Sequence, residues 1–307
     1  MNIIPSKTTV GHSTVVIKKT VERPYHFSVN YDNSKQLLII PKQSMISFDN
    51  ALSGNDYFNI AYSQDHTGQT SYNNSVSAQF SLPFGYDTFT VSYSRFEYMS
   101  MINGAQRNFM SSGHTLNCSL KADKVIFRNQ HSKSQAFVSL STKHTDSYIE
   151  DTLNESGSRK LTILNLGISH TVRGVLGIWN FALGYHEGLP RLMASLDDPT
   201  SDFSVPKAQF YKTTGDISVY KPFQLFSVPL SFRSSLRAQY STNTLYGSER
   251  LSIGNQYTVR GYRNNSIQGD SGAYIRNEFT MPLAPLFIWS SIVDFFKPFN
   301  VQFVSSL

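Results

Sequence analysis

A single cysteine, a low share of charge and the lack of any long apolar run mark this 307-residue chain. Cys118, standing alone, excludes an intrachain disulfide and any zinc site built from several thiolates. Charged residues make up only 16%, against about 25% in an ordinary soluble domain. A membrane helix needs ~20 consecutive apolar residues. The most apolar stretch, Met281 to Phe296, is too short and is interrupted by Pro282, Pro285 and Asp294. The opening Met-Asn-Ile-Ile-Pro-Ser-Lys has neither an apolar h-region nor a small-residue cleavage site, so it does not read as a signal peptide. Nucleotide-binding glycine patterns and HExxH spacing are missing, and the eight histidines have no cysteine company, so no cofactor and no metal is expected. The net charge is +6, but the 27 basic residues are scattered rather than clustered, and a nucleic-acid partner is not expected.

What the chain does have is aromatics, 13% of residues with 22 Phe and 17 Tyr, at a mean hydropathy of only -0.27. That combination suits a transmembrane β-barrel, in which half of each strand faces lipid and half faces water. The dominant period is two. Val76, Ala78, Phe80 and Leu82 alternate with Ser75, Ser77, Gln79 and Ser81. Trp179, Phe181, Leu183 and Tyr185 alternate with Asn180, Ala182 and Gly184. Phe232, Leu236 and Tyr240 fall on one face of their run, and Arg233, Arg237 and Gln239 on the other. Successive strand side chains point to opposite faces, so each run has one oily and one wet surface.

Thirteen strands are predicted, over 24–34, 42–50, 56–64, 71–82, 87–100, 113–124, 134–145, 159–170, 176–186, 208–221, 228–241, 270–281 and 297–304. Connections 101–112, 146–158, 187–207 and 242–269 are long and polar, whereas 51–55, 83–86, 171–175 and 222–227 are short. Alternation of long and short connections is the pattern of outer-membrane barrels. Connection 125–133 is intermediate, and 282–296 is long where a short turn is expected. A soluble β-sandwich or propeller shares the period of two, but its strands average about 5–6 residues, and no blade repeat is present.

Several motifs carry possible chemistry. Gly269-Asp270-Ser271-Gly272 echoes the nucleophile segment of chymotrypsin-like proteases, but Ala273 follows where that family has Gly, and no histidine stands in a catalytic context. A loop-to-strand turn is the better reading, and the chain is not expected to be an enzyme. Asp197 and Asp198 read as a solvated acidic turn. Arg233 and Arg237, with Arg276 and Glu278 on the following strand, point to the polar side. Their roles stay open: solvation of the lumen, Arg–Glu pairing between adjacent strands, or fixed charge lining a conducting channel.

Val259-Arg260-Gly261-Tyr262 resembles the VRG(F/Y) loop motif of the outer-membrane transporter superfamily that includes the barrel-assembly factor. Joined to the segment Gly269, Asp270, Ser271, Gly272, Ala273, Tyr274, Ile275, Arg276, Asn277 and Glu278, it resembles the two-partner secretion (TpsB-type) haemolysin secretion/activation transporters. Pro24 to Ser34 resembles that family's first strand, and Phe48-Asp49-Asn50-Ala51-Leu52 with Gly54-Asn55-Asp56 its second strand and turn. The resemblance implies a sixteen-stranded antiparallel barrel whose sixth extracellular loop, carrying VRGY, folds into the lumen. By count from the alternation, 242–269 is that sixth loop. It further implies an outer-membrane pore that exports and activates a large haemolysin- or adhesin-like exoprotein, with outer-membrane lipid and the barrel-assembly machinery as its other partners. A general diffusion porin or a protein-assembly barrel is the alternative.

On this reading residues 1–22 are the tail of a POTRA domain with its linker, and 23–307 are an incomplete barrel. About thirteen of the sixteen strands are present, and the later-strand aspartate that meets the motif arginine in the family is missing. Arg260 is then expected to take Glu278 or Asp270 as a substitute, on a loosely held loop.

Overall fold

In a computed structural model the described residues are 2–5, 13–16, 23–31, 42–67, 71–104, 107–155, 157–225, 228–254, 258–259, 266–282 and 302–305. All regular structure among them is β. Strands β1 (Asn2–Pro5) and β2 (Ser13–Val16) pair with each other, apart from the main sheet. The main sheet follows a single path through β3 (Tyr25–Tyr31), β4 (Lys42–Asp49), β5 (Tyr57–Thr67), β6 (Ser71–Phe84), β7 (Asp87–Asn103), β8 (Asn108–Arg128) and β9 (Ser132–Ile149). After β10 (Thr152–Leu153), which folds back on β9, the path continues with β11 (Arg159–Gly174), β12 (Gly177–Gly188), β13 (Tyr211–Leu225) and β14 (Val228–Ser241). β15 (Leu251–Ile253) and β16 (Ile267–Gly269) form a separate hairpin, and β17 (Gly272–Pro282) and β18 (Gln302–Ser305) complete the path. Along it, each strand is antiparallel to the one before.

The thirteen strands predicted from alternation are the thirteen on this path, with moved boundaries. β7, β8 and β9 run to 17, 21 and 18 residues, because the ladder continues through pairs such as Met101 with Met110 and Ile102 with Phe109. The long polar connection predicted over 101–112 therefore shrinks to 104–107. The intermediate one over 125–133 shrinks to 129–131, after a bulge between Val125 and Phe127 absorbs the register. There the Asn129 side-chain carbonyl accepts from the Ser132 hydroxyl and from the main-chain N–H groups of His131 and Ser132, closing the turn. At the hairpin between β6 and β7 only Gly85 and Tyr86 link Phe84 to Asp87, and Gly85 takes a φ of 62°, as the first position of a primed turn requires. The long connection predicted over 282–296 lies almost wholly outside the described residues.

Register decides which side chains share a face. Phe232, Leu236 and Tyr240 lie on the same face as Ile275 and Phe279 of β17, as Ile217 of β13, and as Trp179, Phe181, Leu183 and Tyr185 of β12. Arg233, Arg237 and Gln239 lie on the other face, with Glu278, Tyr274 and Gly272 opposite them on β17 and Asp216 and Thr214 on β13. The predicted division is thus observed. Asn277, although part of the motif segment, falls on the apolar face, opposite Ser234.

Among the described residues the apolar face has no protein cover: Leu120, Leu183 and Ile275 are 58%, 57% and 58% exposed. Buried apolar side chains among the described residues are few. They are Leu161, Ile163, Ala208, Phe210, Leu245 and Leu251, where two long loops meet the sheet. A sandwich or propeller would bury one face of every strand against another sheet, so this distribution rules both out. A wall with an oily outside, a wet inside and an unbroken antiparallel ladder is the architecture lipid permits.

Placing arginine at mid-bilayer on a barrel's lipid face costs about 2–4 kcal/mol, whereas lumen positions carry no such cost. Leu183→Arg should lower the unfolding free energy read from urea titration in lipid by an amount in that range, and Ser218→Arg, on the polar face, should leave it nearly unchanged. Equal effects would mean that the faces have been assigned wrongly.

Candidate functional site

The connection from β14 to β17 covers residues 242–271 and holds the β15–β16 hairpin. It is the sixth connection on its side of the sheet, after 32–41, 68–70, 104–107, 150–158 and 189–210. It does not stand out from the rim. Glu249, 7% exposed, reaches two lysines on the polar face of the sheet. Lys143 of β9 donates from Nζ to Oε1 at 2.6 Å, and Lys212 of β13 donates to Oε2 at 2.8 Å and to the Glu249 carbonyl at 3.1 Å. β9 and β13 are three strand spacings apart, so the segment carrying Glu249 lies across the polar face rather than beside it.

The other contacts hold the two ends of this segment. Gln239 of β14 donates through Nε2 to the carbonyls of Glu249, at 3.0 Å, and Asp270, at 3.1 Å. The Asp270 carboxylate accepts from the Leu245 N–H at 2.9 Å and from Arg250 Nε at 3.0 Å. The Ser271 hydroxyl donates to the Ser241 carbonyl at 3.0 Å and accepts the Ser241 N–H at 2.9 Å, so it pins the point where the loop re-enters the sheet. The Arg159 guanidinium lies over the Tyr246 ring, 5.5 Å from its centroid.

Loop 189–210 packs against this one. The Asp197 carboxylate accepts the N–H groups of Ala208 and Gln209, and the Lys207 N–H donates to the Thr244 carbonyl. Phe210 and Leu245 then close over Leu161 and Ile163 of β11. Asp197 is therefore a structural clasp. Asp198 fits the solvated turn predicted for it, accepting from the N–H and hydroxyl of Thr200. Gly188 permits the return of loop 189–210: a Cβ there would stand 1.9 Å from the Ala208 carbonyl oxygen.

Burial alone would push the Glu249 carboxyl up. The charges of Lys143 and Lys212 and their hydrogen bonds outweigh it, so the group is held below the ordinary carboxylate range.

Of the predicted site residues, Val259 is half-buried within this loop, whereas Arg260, Gly261 and Tyr262 lie outside the described residues. Gly269 ends β16 opposite Leu251, and Gly272 faces Gln239, where a Cβ would come within 3.3 Å of Leu251. Tyr274, Arg276 and Glu278 share the polar face of β17, and Arg276 forms an ion pair with Glu278. Arg233 stands opposite both Glu278 and Tyr220, with its guanidinium over the Tyr220 ring, and Arg237 meets Asp216 at 3.3 Å. Of these arginines, Arg237 pairs between strands, with Asp216 of β13, whereas Arg276 pairs within its own strand and Arg233 lies over the Tyr220 ring. The expectation of a loosely held loop is corrected for its described part, which is fastened at Glu249, Asp270 and Ser271.

The model of one protein family matches residues 11–293: haemolysin secretion/activation protein ShlB/FhaC/HecB. The chain belongs to this family. Among relatives, the outer membrane transporter CdiB of Dickeya dadantii (strain 3937) is 32% identical over 87% of this chain and 48% of its own length. The haemolysin transporter protein HpmB of Proteus mirabilis is 24% identical over 92% of this chain and 51% of its own length. Among solved structures, CdiB from Escherichia coli superposes with a TM-score of 0.84 at 28% identity, covering 92% of this chain and 52% of that one. The chain therefore spans about half the length of the relatives it matches.

Within this member of the ShlB/FhaC/HecB family, sequence reasoning missed the hub at Glu249. Lys143 and Lys212 share a face with Ser141, Thr145 and Thr214, two residues away along their strands. Their shared partner, 106 and 37 residues away in the chain, left no local signal.

A depressed carboxyl pKa contributes stability that is present above the unfolded value and lost as pH falls through the lower, folded one. Protease cleavage within 242–271 should be slow at neutral pH and become fast only below about pH 4, the ordinary carboxylate region. Glu249→Ala strands two ammonium groups on the wall. Breaking such a buried pair costs about 3–5 kcal/mol, and the 24% exposure of the Lys143 side chain argues for the lower end. The variant's loop should be cleaved readily at every pH tested. Slow cleavage of the variant at neutral pH would show that Glu249 does not hold the loop.

Proposed function

We propose that this chain forms most of the wall of an outer-membrane pore that exports a large secreted exoprotein. The loop carried across the polar face is the observation that supports this reading best. A pore for small solutes gains nothing from a segment of some thirty residues fastened inside it by a three-way ion pair. A protein-conducting pore needs a stopper for a wide lumen between export events. The relatives named as an outer membrane transporter and a haemolysin transporter fit the same assignment.

On this reading the apolar face meets outer-membrane lipid, the polar face lines the conduit, and insertion depends on the barrel-assembly machinery. Residues 1–22 belong to a separate unit preceding the wall, to which the isolated β1–β2 pair is suited. Val259, Arg260, Gly261 and Tyr262 form the tip of the stopper. Tyr274, Arg276 and Glu278 are the part of the wall that receives it.

Two measurements separate this function from a diffusion porin. Vesicles containing the purified protein should swell slowly in small sugars, and deleting 246–268 should speed the swelling. In cells, Arg260→Ala should lower the amount of exoprotein in the medium while leaving the amount of transporter in the membrane unchanged. Rapid swelling of the unaltered protein, with no effect of the deletion, would favour the porin.

A further inference from the structure

The polar face divides into two sectors. On β13, β14 and β17 it carries Lys212, Asp216, Arg233, Arg237, Arg276 and Glu278, and the docked loop crosses its outer end. On β5 to β8 the middle of the same face is uncharged. One row of paired residues runs Asn59, Gln79, Ser92, Ser119, and the next runs Ala61, Ser77, Ser94, Asn117. Together they line an open hollow of about 280 Å³, roughly nine water volumes. The hydroxyls bond sparingly among themselves: Ser92 donates to Ser119 at 3.2 Å, and Asn117 donates to Ser94 at 3.2 Å. The nearest charges toward the short turns, Lys121 and Asp123, neutralise each other at 2.8 Å.

Resting on the export reading above, we propose that the exported polypeptide, in extended form, passes along this neutral sector on β5 to β8 and not along the charged sector on β13 to β17. An extended chain offers N–H donors and C=O acceptors in alternation. Hydroxyls and primary amides both donate and accept, so such a surface holds peptide groups whatever the passing sequence. A conduit must bind its cargo well enough to admit it and weakly enough to release it. Fixed charges would break that condition by holding back each passing residue of opposite sign and repelling each of like sign. On β13, β14 and β17 the charges are already engaged, Lys212 with the loop at Glu249, Arg237 with Asp216 and Arg276 with Glu278.

The sectors can be compared by disulfide capture on the purified chain in lipid, with Cys118, exposed on the apolar face, replaced by Cys118→Ser. Ser77→Cys, Ser92→Cys and Ser119→Cys probe the neutral sector. Ser218→Cys and Ser235→Cys probe the charged one. All five are conservative and sit on the polar face. The probe is an unfolded synthetic peptide of Ser, Thr, Asn and Gly with one cysteine, tested with 246–268 present and deleted. The expected result is a disulfide yield roughly tenfold higher in the neutral sector, corresponding to about 1.4 kcal/mol. Equal yields, a reversed preference, or no capture at any position would overturn the proposal. Secretion from cells is scored separately: capture on β5 to β8 without secretion refutes the export reading, and secretion without such capture refutes this path.

Discussion

Every peptide group in a bilayer must find its hydrogen-bond partner within the protein, because the hydrocarbon offers none. Among the described residues, strands β4 to β14 meet that demand by pairing on both sides, with neighbours in sequence paired as neighbours in space. Much else follows from it. A strand paired on both sides has only its two faces left to differ, so apolar and polar residues must alternate, and one face takes lipid while the other takes water. The few buried apolar residues, gathered where loops 189–210 and 242–271 meet, are therefore no weakness of the fold. Its hydrophobic surface is spent outward, on a solvent that is itself oily.

The wet face creates a second problem. A broad polar surface has no reason to hold a loop, and hydrophobic burial is scarce there. Glu249 supplies the missing attraction. Its carboxylate is withdrawn from water, and that cost is offset only because two ammonium groups and their hydrogen bonds converge on it. Asp270 and Ser271 then fasten the return of the loop, and Phe210 with Leu245 closes the seam to the neighbouring loop. Lys212 of β13 and Gln239 of β14 meet the loop at the outer end of the sheet, while the middle of β5 to β8 stays neutral.

The strands, their faces and the two longest connections, 189–210 and 242–271, were legible from the sequence alone, because each depends on residues two apart or on a run of turn formers. Trp179, Phe181 and Leu183 announce a lipid-facing strand without reference to anything distant. Membership of the ShlB/FhaC/HecB family was visible in Val259 to Tyr262 and Gly269 to Glu278. Strand ends were less legible: the polar residues of 101–112 and 125–133 read as loops, yet most continue the ladder, since strands standing beyond the oily layer have no need of apolar residues. Tertiary structure alone decided what holds the loop. Lys143, Lys212 and Glu249 come from segments far apart in the chain, and each in isolation is an ordinary charged residue. Their meeting is set by the register of three intervening strand pairs and by the inward course of the loop, a geometric sum over the sheet that no local pattern encodes.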